Sequence, residues 1–395
     1  MFSKKTIRDV DVTGKRVLVR VDFNVPLTKE REVADSTRIR AVLPTINYLV
    51  EREAKIILIS HLGRPDGKVD DAVRMDPVAR CLSNLLGKQV QKVDKTVTDE
   101  VKAAVSRLKT GDVLLLENVR FNPGEKKNDP EFAKQLALLA DIYVNDAFGT
   151  AHRNHASTVG ITNYLPAYGG FLLEKEINEL SKLFKNPDKP FVAVLGGNKV
   201  SDKIKVIEKF LDIVDVILTG GGMCFTFLKA KGANIGGSIC QNDETEHSLK
   251  MLKKAKENGV GLLLPVDVVV AKTIAEDAEY KIVPVENIPD KLMGLDIGPK
   301  TIRTYEDILS KAKTIFWNGP MGVFEIEQFS QGTKAIATAI ANSQATTIVG
   351  GGDSDAALRK YGLENRVSFI STGGGASLKF LEGTPLPGAE ALLDK

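Results

Sequence analysis

Basic side chains follow the short apolar runs in the first half of the chain, where each run is expected to end. They lie in the segments "SHLGRP", "ENVRF" and "TAHR" and are His61, Arg64, Arg120 and Arg153. Arg38 joins them from the first turn of a predicted helix, where the helix dipole disfavours a cation by up to about 1 kcal/mol. Taken alone, Arg38 would be interpreted as a solvated surface arginine. Together with the other basic side chains, Arg38 indicates a nearby anion that would offset the unfavourable interaction with the helix dipole.

Two polar side chains follow the first apolar run of the chain. Asp22 and Asn24, in "VDFNVP", can accept hydrogen bonds from a hydroxyl group and donate to it. Together with the basic side chains, they predict a pocket for a phosphorylated hydroxy acid.

Two lysines follow a glycine-terminated run in the second half. Lys199 and Lys203, in "LGGNKVSDKI", are four residues apart and are predicted to share one face of a helix that begins there. The alternative is that these lysines lie on a solvent-exposed face of the helix without a specific role, since Lys205 and Lys209 have the same spacing. Their position beside Gly197, at the end of a strand, predicts that they hold a transferring phosphoryl group.

Four apolar runs in this half end in glycines, in "LGGNK", "TGGGM", "VGGGDSD" and "STGGGAS", but none matches the Walker loop or GxGxxG. Glycines allow backbone N–H groups to approach phosphates. Asp353 is the best candidate ligand for a nucleotide-bound Mg²⁺, which usually takes one or two carboxylates together with phosphate oxygens. Glu325 follows another apolar run, where a carboxylate can accept hydrogen bonds from ribose hydroxyls.

Other metal or redox chemistry finds little support in the sequence. His152 and His155 form an HxxH pair, but no third ligand is evident and the chain has four histidines. The three cysteines have no framework spacing and are interpreted as small buried hydrophobic residues of a protein in a reducing compartment.

Strand-like runs alternate with helical patterns along the chain, which predicts βαβ units. The predicted fold class is α/β, with two Rossmann-like doubly wound parallel-sheet domains joined by a hinge helix. Ligands then bind beyond the carboxyl ends of the strands. Since only 9 of the 34 glycines lie in residues 1–169, the two domains are expected to bind different ligands.

The domain boundary is predicted where Pro166, Gly169 and Gly170 interrupt the first domain. The N-terminal domain then covers residues 1–169 and the C-terminal domain residues 170–380, with a linking helix at about 171–184. Residues 381–395 form a tail that can return to the N-terminal domain.

Composition excludes several classes of partner. Lys+Arg 54 against Asp+Glu 51 gives a formal net charge of +3, so no global field indicates a nucleic acid or an anionic membrane. The start of the chain has no apolar region typical of a signal peptide, and no run of 18 apolar residues occurs. A cytoplasmic protein is expected.

Nine ordered segments together resemble the phosphoglycerate kinase family. They are "RVDFNVP", "SHLGRP", "ENVRFNPGEKKND", "VNDAFGTAHR", "GGNKVSDKI", "TGGGM", "WNGPMGVFE", "GGGDS" and "STGGGASL". The resemblance implies 3-phosphoglycerate on the first domain, ADP or ATP with Mg²⁺ on the second, domain closure for transfer, and a monomer. Asn198, where the family usually has a smaller residue, and Ser354, where threonine is frequent, depart from the pattern.

The resemblance also assigns residues to each site. The substrate-binding set is Asp22, Asn24, Arg38, His61, Arg64, Arg120 and Arg153. The nucleotide-binding set is Lys203, Gly220, Gly221, Asn318, Pro320, Glu325, Gly351, Gly352, Asp353 and Ser354, with Asp353 as the metal ligand. The catalytic set is Arg38, Lys199, Gly374 and Gly375, in a helix start that also contains Gly373.

The chemistry implied is reversible phosphoryl transfer between 1,3-bisphosphoglycerate and ADP, which gives 3-phosphoglycerate and ATP in glycolysis. In the ATP-consuming direction the nucleophile is a carboxylate, which is already ionised at pH 7, so no general base is needed. Two alternatives are an NAD-dependent dehydrogenase, for which the dinucleotide fingerprint is missing, and a non-catalytic nucleotide-binding module, which would not use the cations of the first half.

Overall fold

The computed structural model describes residues 2–395, and contacts divide the chain into two compact units. One unit contains the residues up to Asn178 together with Pro385–Lys395, and the other is Glu179–Thr384. This division falls inside the linking helix, whereas the sequence analysis places it before that helix. No helix within residues 2–395 combines the length and the apolar character needed to cross a membrane.

The first unit contains a six-stranded parallel sheet in the order β3-β4-β2-β1-β5-β6. Its strands are β1 (Arg16–Val21), β2 (Lys55–Ile59), β3 (Val90–Lys92), β4 (Val113–Leu115), β5 (Ile142–Asp146) and β6 (Ala167–Gly169). Its helices are α1 (Thr37–Glu51), α2 (Asp76–Leu86), α3 (Asp99–Ser106) and α4 (Pro130–Ala137), and α5 (Phe171–Ser181) leads out of the unit.

Helix α1 shows how the sequence builds this unit. The apolar stripe predicted for it is buried at Ile39, Val42, Ile46 and Leu49 and packs against β1 side chains such as Val19. The strand residues on both sides of the sheet are buried, which is the pattern of a parallel sheet covered by helices on its two faces.

The second unit repeats this design in the order β15-β14-β13-β7-β8-β9, again with parallel strands. These strands are β7 (Phe191–Leu195), β8 (Val216–Thr219), β9 (Gly261–Leu263), β13 (Thr314–Asn318), β14 (Thr346–Gly350) and β15 (Phe369–Ile370). A separate antiparallel sheet contains β10 (Asp267–Ala271), β11 (Tyr280–Pro284) and β12 (Met293–Ile297). The helices are α6 (Ile204–Phe210), α7 (Met223–Ala230), α8 (Thr245–Glu257), α9 (Pro299–Lys311), α10 (Gln331–Asn342), α11 (Gly352–Lys360) and α12 (Gly375–Leu381).

Helices cover the two faces of this second parallel sheet. Trp317 belongs to a buried cluster with Tyr305 and Ile336 from α9 and α10. On the other side Phe210 of α6 packs edge-on against Phe316, with ring centroids 5.3 Å apart. The prediction of two parallel-sheet α/β domains is therefore confirmed. The antiparallel sheet was not predicted, because its runs carry no glycine-rich ending that would distinguish them from the other strands.

The last residues of the chain are part of the first unit. After α13 (Pro387–Glu390), the backbone N–H of Lys5 donates to the carbonyl oxygen of Leu393 at 2.7 Å. The side chain of Asn145, at the end of β5, donates to the carbonyl oxygen of Gly388 at 2.8 Å. This tail is thus tied to the strand ends that carry the basic side chains.

Candidate active site

Four neighbouring strands of the first sheet end at the predicted acid site. β4, β2, β1 and β5 are adjacent and parallel, so their carboxyl ends lie at one edge of the sheet. The segments after these strands contain, respectively, Arg120, His61 with Arg64, Asp22 with Asn24, and Arg153. Arg38 comes from the first turn of α1. Sequence positions far apart are thereby brought to one place.

The basic groups are close enough to perturb one another. Burial is the main reason why the pKa of Arg120 falls to about 10, and the charges of Arg153 and Arg20 lower it further. Burial also lowers the pKa of Arg153 and holds that of His61 well below its usual value, and neighbouring arginines contribute to both shifts. His61 is therefore neutral at pH 7, while the arginines remain charged.

Asp22 and Asn24 organise this cationic site. The Oδ2 atom of Asp22 lies 3.1 Å from Nη1 of Arg38, which also donates to the carbonyl oxygen of Asn24. The carboxamide oxygen of Asn24 accepts from the backbone N–H of Gly63 at 2.8 Å. Since that oxygen is already engaged, Asn24 offers a ligand its amide donors, while Asp22 retains acceptor capacity for a hydroxyl.

A buried asparagine joins two of the segments that carry cations. Asn118 accepts from the backbone N–H groups of Leu62 and Arg120 and donates to the carbonyl oxygen of Leu62 at 2.7 Å. The guanidinium of Arg120 in turn donates to the carbonyl oxygen of Gly63 at 2.7 Å. Arg120 is thus fixed in position by the backbone of the neighbouring segment, whereas Arg64 is exposed.

Sequence reasoning missed three buried polar residues behind this site: Arg20, Glu125 and Ser157 are fully buried and connected by hydrogen bonds. Arg20 carried a signal, because it is a charged residue inside the apolar run "RVLVRV". A charge at such a position requires buried partners, and those partners come from distant segments that the sequence does not identify.

In the second unit two cavities of about 450 and 440 Å³ share Gly197, Asn198 and Asp353 in their linings. The first has mainly apolar walls, which include Phe225 and Met321. The second is lined by polar groups and glycines. This combination suits a molecule with a flat apolar part and a charged part, as a nucleotide has.

The polar cavity lies at the amino ends of two helices. α11 and α12 begin at Gly352 and Gly375, and neither helix has a side-chain cap. The N–H groups of Gly352 and Gly375 remain available to an anion, whereas that of Ala376 donates to the carbonyl oxygen of Gly373 at 3.0 Å. A Cβ atom at Gly352 or Gly375 would meet nothing within 4 Å, so the packing of the protein does not require glycine there. Glycine at these two positions leaves space for a ligand to approach the backbone closely.

The two predicted lysines line the same cavity but differ in burial. Lys203 is 9% exposed, and burial lowers its pKa although Asp202 and Asp353 oppose the shift. Lys199 is exposed. The prediction that both lie on one helical face is wrong, because α6 begins only at Ile204 and the preceding residues form turns. Gly197, at φ +98°, takes the chain out of the strand in a conformation that does not continue into a helix.

The remaining predicted nucleotide residues fall into two groups. Gly221, Pro320 and Glu325 line the apolar cavity, and Asn318, Gly351, Ser354 and Gly374 line the polar one. Gly220 lines neither, and a Cβ there would press on Met321 beneath the cavity. Ser354 is buried and accepts from the backbone N–H of Gly319 at 2.7 Å, so it fixes the strand ends.

Asp353 has the properties of a ligand for a nucleotide-bound cation. It is exposed and lines both cavities, and its carboxylate makes no hydrogen bond or ion pair with any residue of the described chain. Within residues 2–395, Asp76, Asp94 and Glu117 form the one group of three possible ligand side chains. The ammonium of Lys92 contacts all three carboxylates, so that group is an ion-pair network of the first unit.

Comparison with known proteins identifies the family. The family model described as phosphoglycerate kinase matches residues 7–384. The chain belongs to the phosphoglycerate kinase family. It is 56% identical over 394 residues to a curated phosphoglycerate kinase of Moorella thermoacetica and 56% identical over 395 residues to one of Pseudothermotoga lettingae, with each chain covered completely.

Solved structures of the family agree with the fold. The phosphoglycerate kinase of Coxiella burnetii is 44% identical and superposes with a TM-score of 0.88, and that of Pyrococcus horikoshii is 36% identical with 0.86. Each comparison covers 98% of both chains. The protein is thus an enzyme of phosphoryl transfer between 1,3-bisphosphoglycerate and ADP, as the resemblance implied, and the dehydrogenase alternative has no support.

Proposed function

We propose that the acid substrate binds to the first unit, at the cations beyond β1, β2, β4 and β5. The observation that carries this assignment is the crowding of positive charge at these strand ends. Burial lowers the pKa of Arg120, Arg153 and His61, and the charges of neighbouring arginines lower it further. A phosphate and a carboxylate on one small molecule would relieve this repulsion. Asp22 accepts from the hydroxyl group of the substrate.

The nucleotide binds to the two cavities of the second unit. Its base lies in the apolar cavity, Glu325 accepts from ribose hydroxyls, and its phosphates lie in the polar cavity near Lys203 and the amino ends of α11 and α12. Asp353 holds Mg²⁺, which supplies charge neutralisation of the nucleotide phosphates when it is bound. The uncommitted carboxylate of Asp353 supports this role.

Catalysis consists of positioning and charge stabilisation. In the ATP-consuming direction, a carboxylate oxygen of 3-phosphoglycerate attacks the γ-phosphorus, the bond from phosphorus to the β–γ bridging oxygen breaks, and ADP leaves. Arg38, Lys199 and the backbone N–H groups at Gly374 and Gly375 stabilise the negative charge on the equatorial oxygens. The carboxylate nucleophile is already ionised, so no side chain acts as a general base.

In-line transfer requires the reacting atoms to be about 3 to 3.5 Å apart. We infer that the two units close around both substrates, with bending at α5 and at the segment from Thr372 to Gly375, and that closure excludes water from the acyl phosphate. We also propose that the enzyme works as a cytoplasmic monomer on small molecules, without a nucleic-acid partner. The near balance of charges over the chain supports the last point.

A coupled assay tests the function directly. Purified full-length protein is supplied with 3-phosphoglycerate and MgATP, and the 1,3-bisphosphoglycerate formed is reduced by a dehydrogenase with NADH. We expect turnover that requires both substrates and is lost when EDTA removes the metal. NADH oxidation that needs no ATP would contradict the proposal, and so would ADP formation without 3-phosphoglycerate.

A further inference from the structure

The buried guanidinium of Arg20 lies behind the acid site and has three hydrogen-bond partners. Its Nε donates to Oγ of Ser157 at 2.9 Å, its Nη1 donates to the carbonyl oxygen of Val21, and its Nη2 lies 3.2 Å from Nδ1 of His61. Arg20 is fully buried and His61 is 2% exposed. The ring of His61 is thus held from behind by a permanent cation.

This contact determines where His61 carries its proton. A guanidinium only donates hydrogen bonds and stays charged, so Nδ1 must supply a lone pair to it. Burial and the surrounding arginines keep the pKa of His61 well below its usual value, so the ring is neutral with its proton on Nε2. Nε2 makes no hydrogen bond to any residue from 2 to 395 and is not sealed from solvent.

Arg20 is itself fixed by a buried acid. The hydroxyl of Ser157 accepts from Arg20 and donates to Oε1 of Glu125 at 2.6 Å, and the backbone N–H of Ser157 donates to Oε2 at 3.0 Å. Burial alone would raise the pKa of Glu125, but His155 and the charge of Arg20 bring it below its usual value. Glu125 is therefore an anion that balances Arg20 across the hydroxyl of Ser157.

The carboxylate of Asp22 would favour the other tautomer of His61, in which Nδ1 carries the proton, and Arg20 prevents this. Its Oδ1 atom lies 3.8 Å from Nδ1 of His61. If Nδ1 carried the proton, it would be attracted to this carboxylate, and Nε2 would become an acceptor, which repels an anionic oxygen. The contact from Arg20 excludes that tautomer and leaves Asp22 available to Arg38 and to the substrate hydroxyl.

We propose that Arg20 is a positioning residue that holds His61 as the neutral Nε2–H tautomer, so that His61 donates to an anionic oxygen of the acid substrate. The last part rests on the proposed binding of the acid at this site. The tautomer itself does not depend on that proposal.

The first experiment is long-range ¹⁵N–¹H correlation spectroscopy on the full-length protein labelled at its four histidines, with His61 assigned from the loss of its signals in His61→Gln. At pH 7 we expect the Nδ1 resonance in the unprotonated range and the Nε2 resonance in the protonated range. A wild-type ring that is protonated on Nδ1, or on both nitrogens, would overturn the proposal without the need for a folded variant at Arg20.

The second experiment compares Arg20→Met with Arg16→Met. Arg16 lies on the same strand but pairs with Asp141 outside the site, 2.7 Å away. We expect Arg20→Met to move the proton of His61 toward Nδ1 and to raise the KM for 3-phosphoglycerate about tenfold, with less effect on kcat, as for a lost hydrogen bond to a charged group. Arg16→Met should change neither quantity.

Two outcomes separate the possible failures. If the tautomer of His61 is unchanged in folded Arg20→Met, Arg20 is not a positioning residue, whatever the KM. A changed tautomer with an unchanged KM in both Arg20→Met and His61→Gln would show that His61 does not bind the acid, so that the assignment of the substrate site fails instead. If Arg20→Met does not fold, Ser157→Ala removes the hydroxyl that lies between Arg20 and Glu125 but keeps the guanidinium. This variant is expected to shift the tautomer in part, and no shift would contradict the proposal.

Discussion

Arg38 and Asp22 form an ion pair in which Nη1 lies 3.1 Å from Oδ2, across the gap between the start of α1 and the end of β1. The side chain of Asp22 is 9% exposed and that of Arg38 is 32% exposed. Asp22 therefore fixes the direction of an arginine that still faces solvent. If the acid substrate binds Arg38 as proposed, this ion pair reduces the conformational entropy that the side chain loses on binding.

The ion pair gives a first prediction. Asp22→Asn should raise the KM for 3-phosphoglycerate about tenfold, because it removes the ion pair with Arg38 and a charged acceptor for the substrate hydroxyl. The KM for ATP should stay nearly constant. Steady-state kinetics with each substrate varied provides the test, and Asp141→Asn, which breaks an exposed pair with Arg16, is the matched control. Equal effects on both KM values would show a general loss of structure.

A second prediction concerns Lys199, which lines the polar cavity. Lys199→Ala should lower kcat about 100-fold, as for the loss of one preorganised donor to the transition state, with a much smaller change in either KM. Lys205→Ala, on the following helix, should leave kcat unchanged. A normal kcat with a raised nucleotide KM would assign Lys199 to ground-state binding.

A third prediction separates the two sites. Arg64→Ala and Arg120→Ala should each weaken the binding of 3-phosphoglycerate about tenfold or more, because each removes a charge-assisted hydrogen bond. The affinity for MgADP should be unchanged, since its proposed cavities lie in the other unit. Calorimetric titration of each ligand alone measures this, with Arg40→Ala as the control. A parallel loss of MgADP affinity would refute the division between the units.

A fourth prediction concerns pH and Asp146, at the end of β5. Its Oδ1 accepts from the backbone N–H groups of Leu172 and Leu173, and its Oδ2 is buried. Burial raises its pKa from 3.8 to about 7. The folded protein thus binds a proton that the unfolded chain releases, so this group costs stability as the pH rises from about 4 to about 7, by up to about 4 kcal/mol.

Asp146→Asn tests this pH dependence, because the amide keeps the acceptor at Oδ1 and does not titrate. Denaturant unfolding at several pH values should show a smaller loss of stability between pH 4 and 7 in the variant than in the wild type. Identical slopes in the two proteins would mean that Asp146 is ionised in the folded state.

The last prediction tests closure. Small-angle X-ray scattering should show a smaller radius of gyration with both ligands bound than with either ligand alone. The reason is that the contacts that favour closure form only when both ligands are present. An unchanged radius with 3-phosphoglycerate and MgADP present together would contradict the hinge proposal, together with the joint action of Arg38 and Lys199.

Much of this protein is determined by local sequence. Apolar runs that alternate with helical stripes such as that of α1 predict parallel α/β units, because an amphipathic helix after a strand buries its apolar stripe against the sheet. The side chains at the strand ends then indicate a cationic site and a glycine-rich site, since parallel strands bring their carboxyl ends to one edge. The family resemblance follows from the same ordered segments.

Other features were decided only by the tertiary structure. Arg20 needed partners from residues 125 and 157, and Asn24 directs its oxygen to Gly63 across the sheet edge. Gly170 looked like an ordinary break before the linking helix, but a Cβ there would collide with Asp146. The physical reason is common to these cases. A buried polar group needs a hydrogen-bond partner, and a close contact needs a residue without a side chain. Both depend on which distant segments the fold brings together.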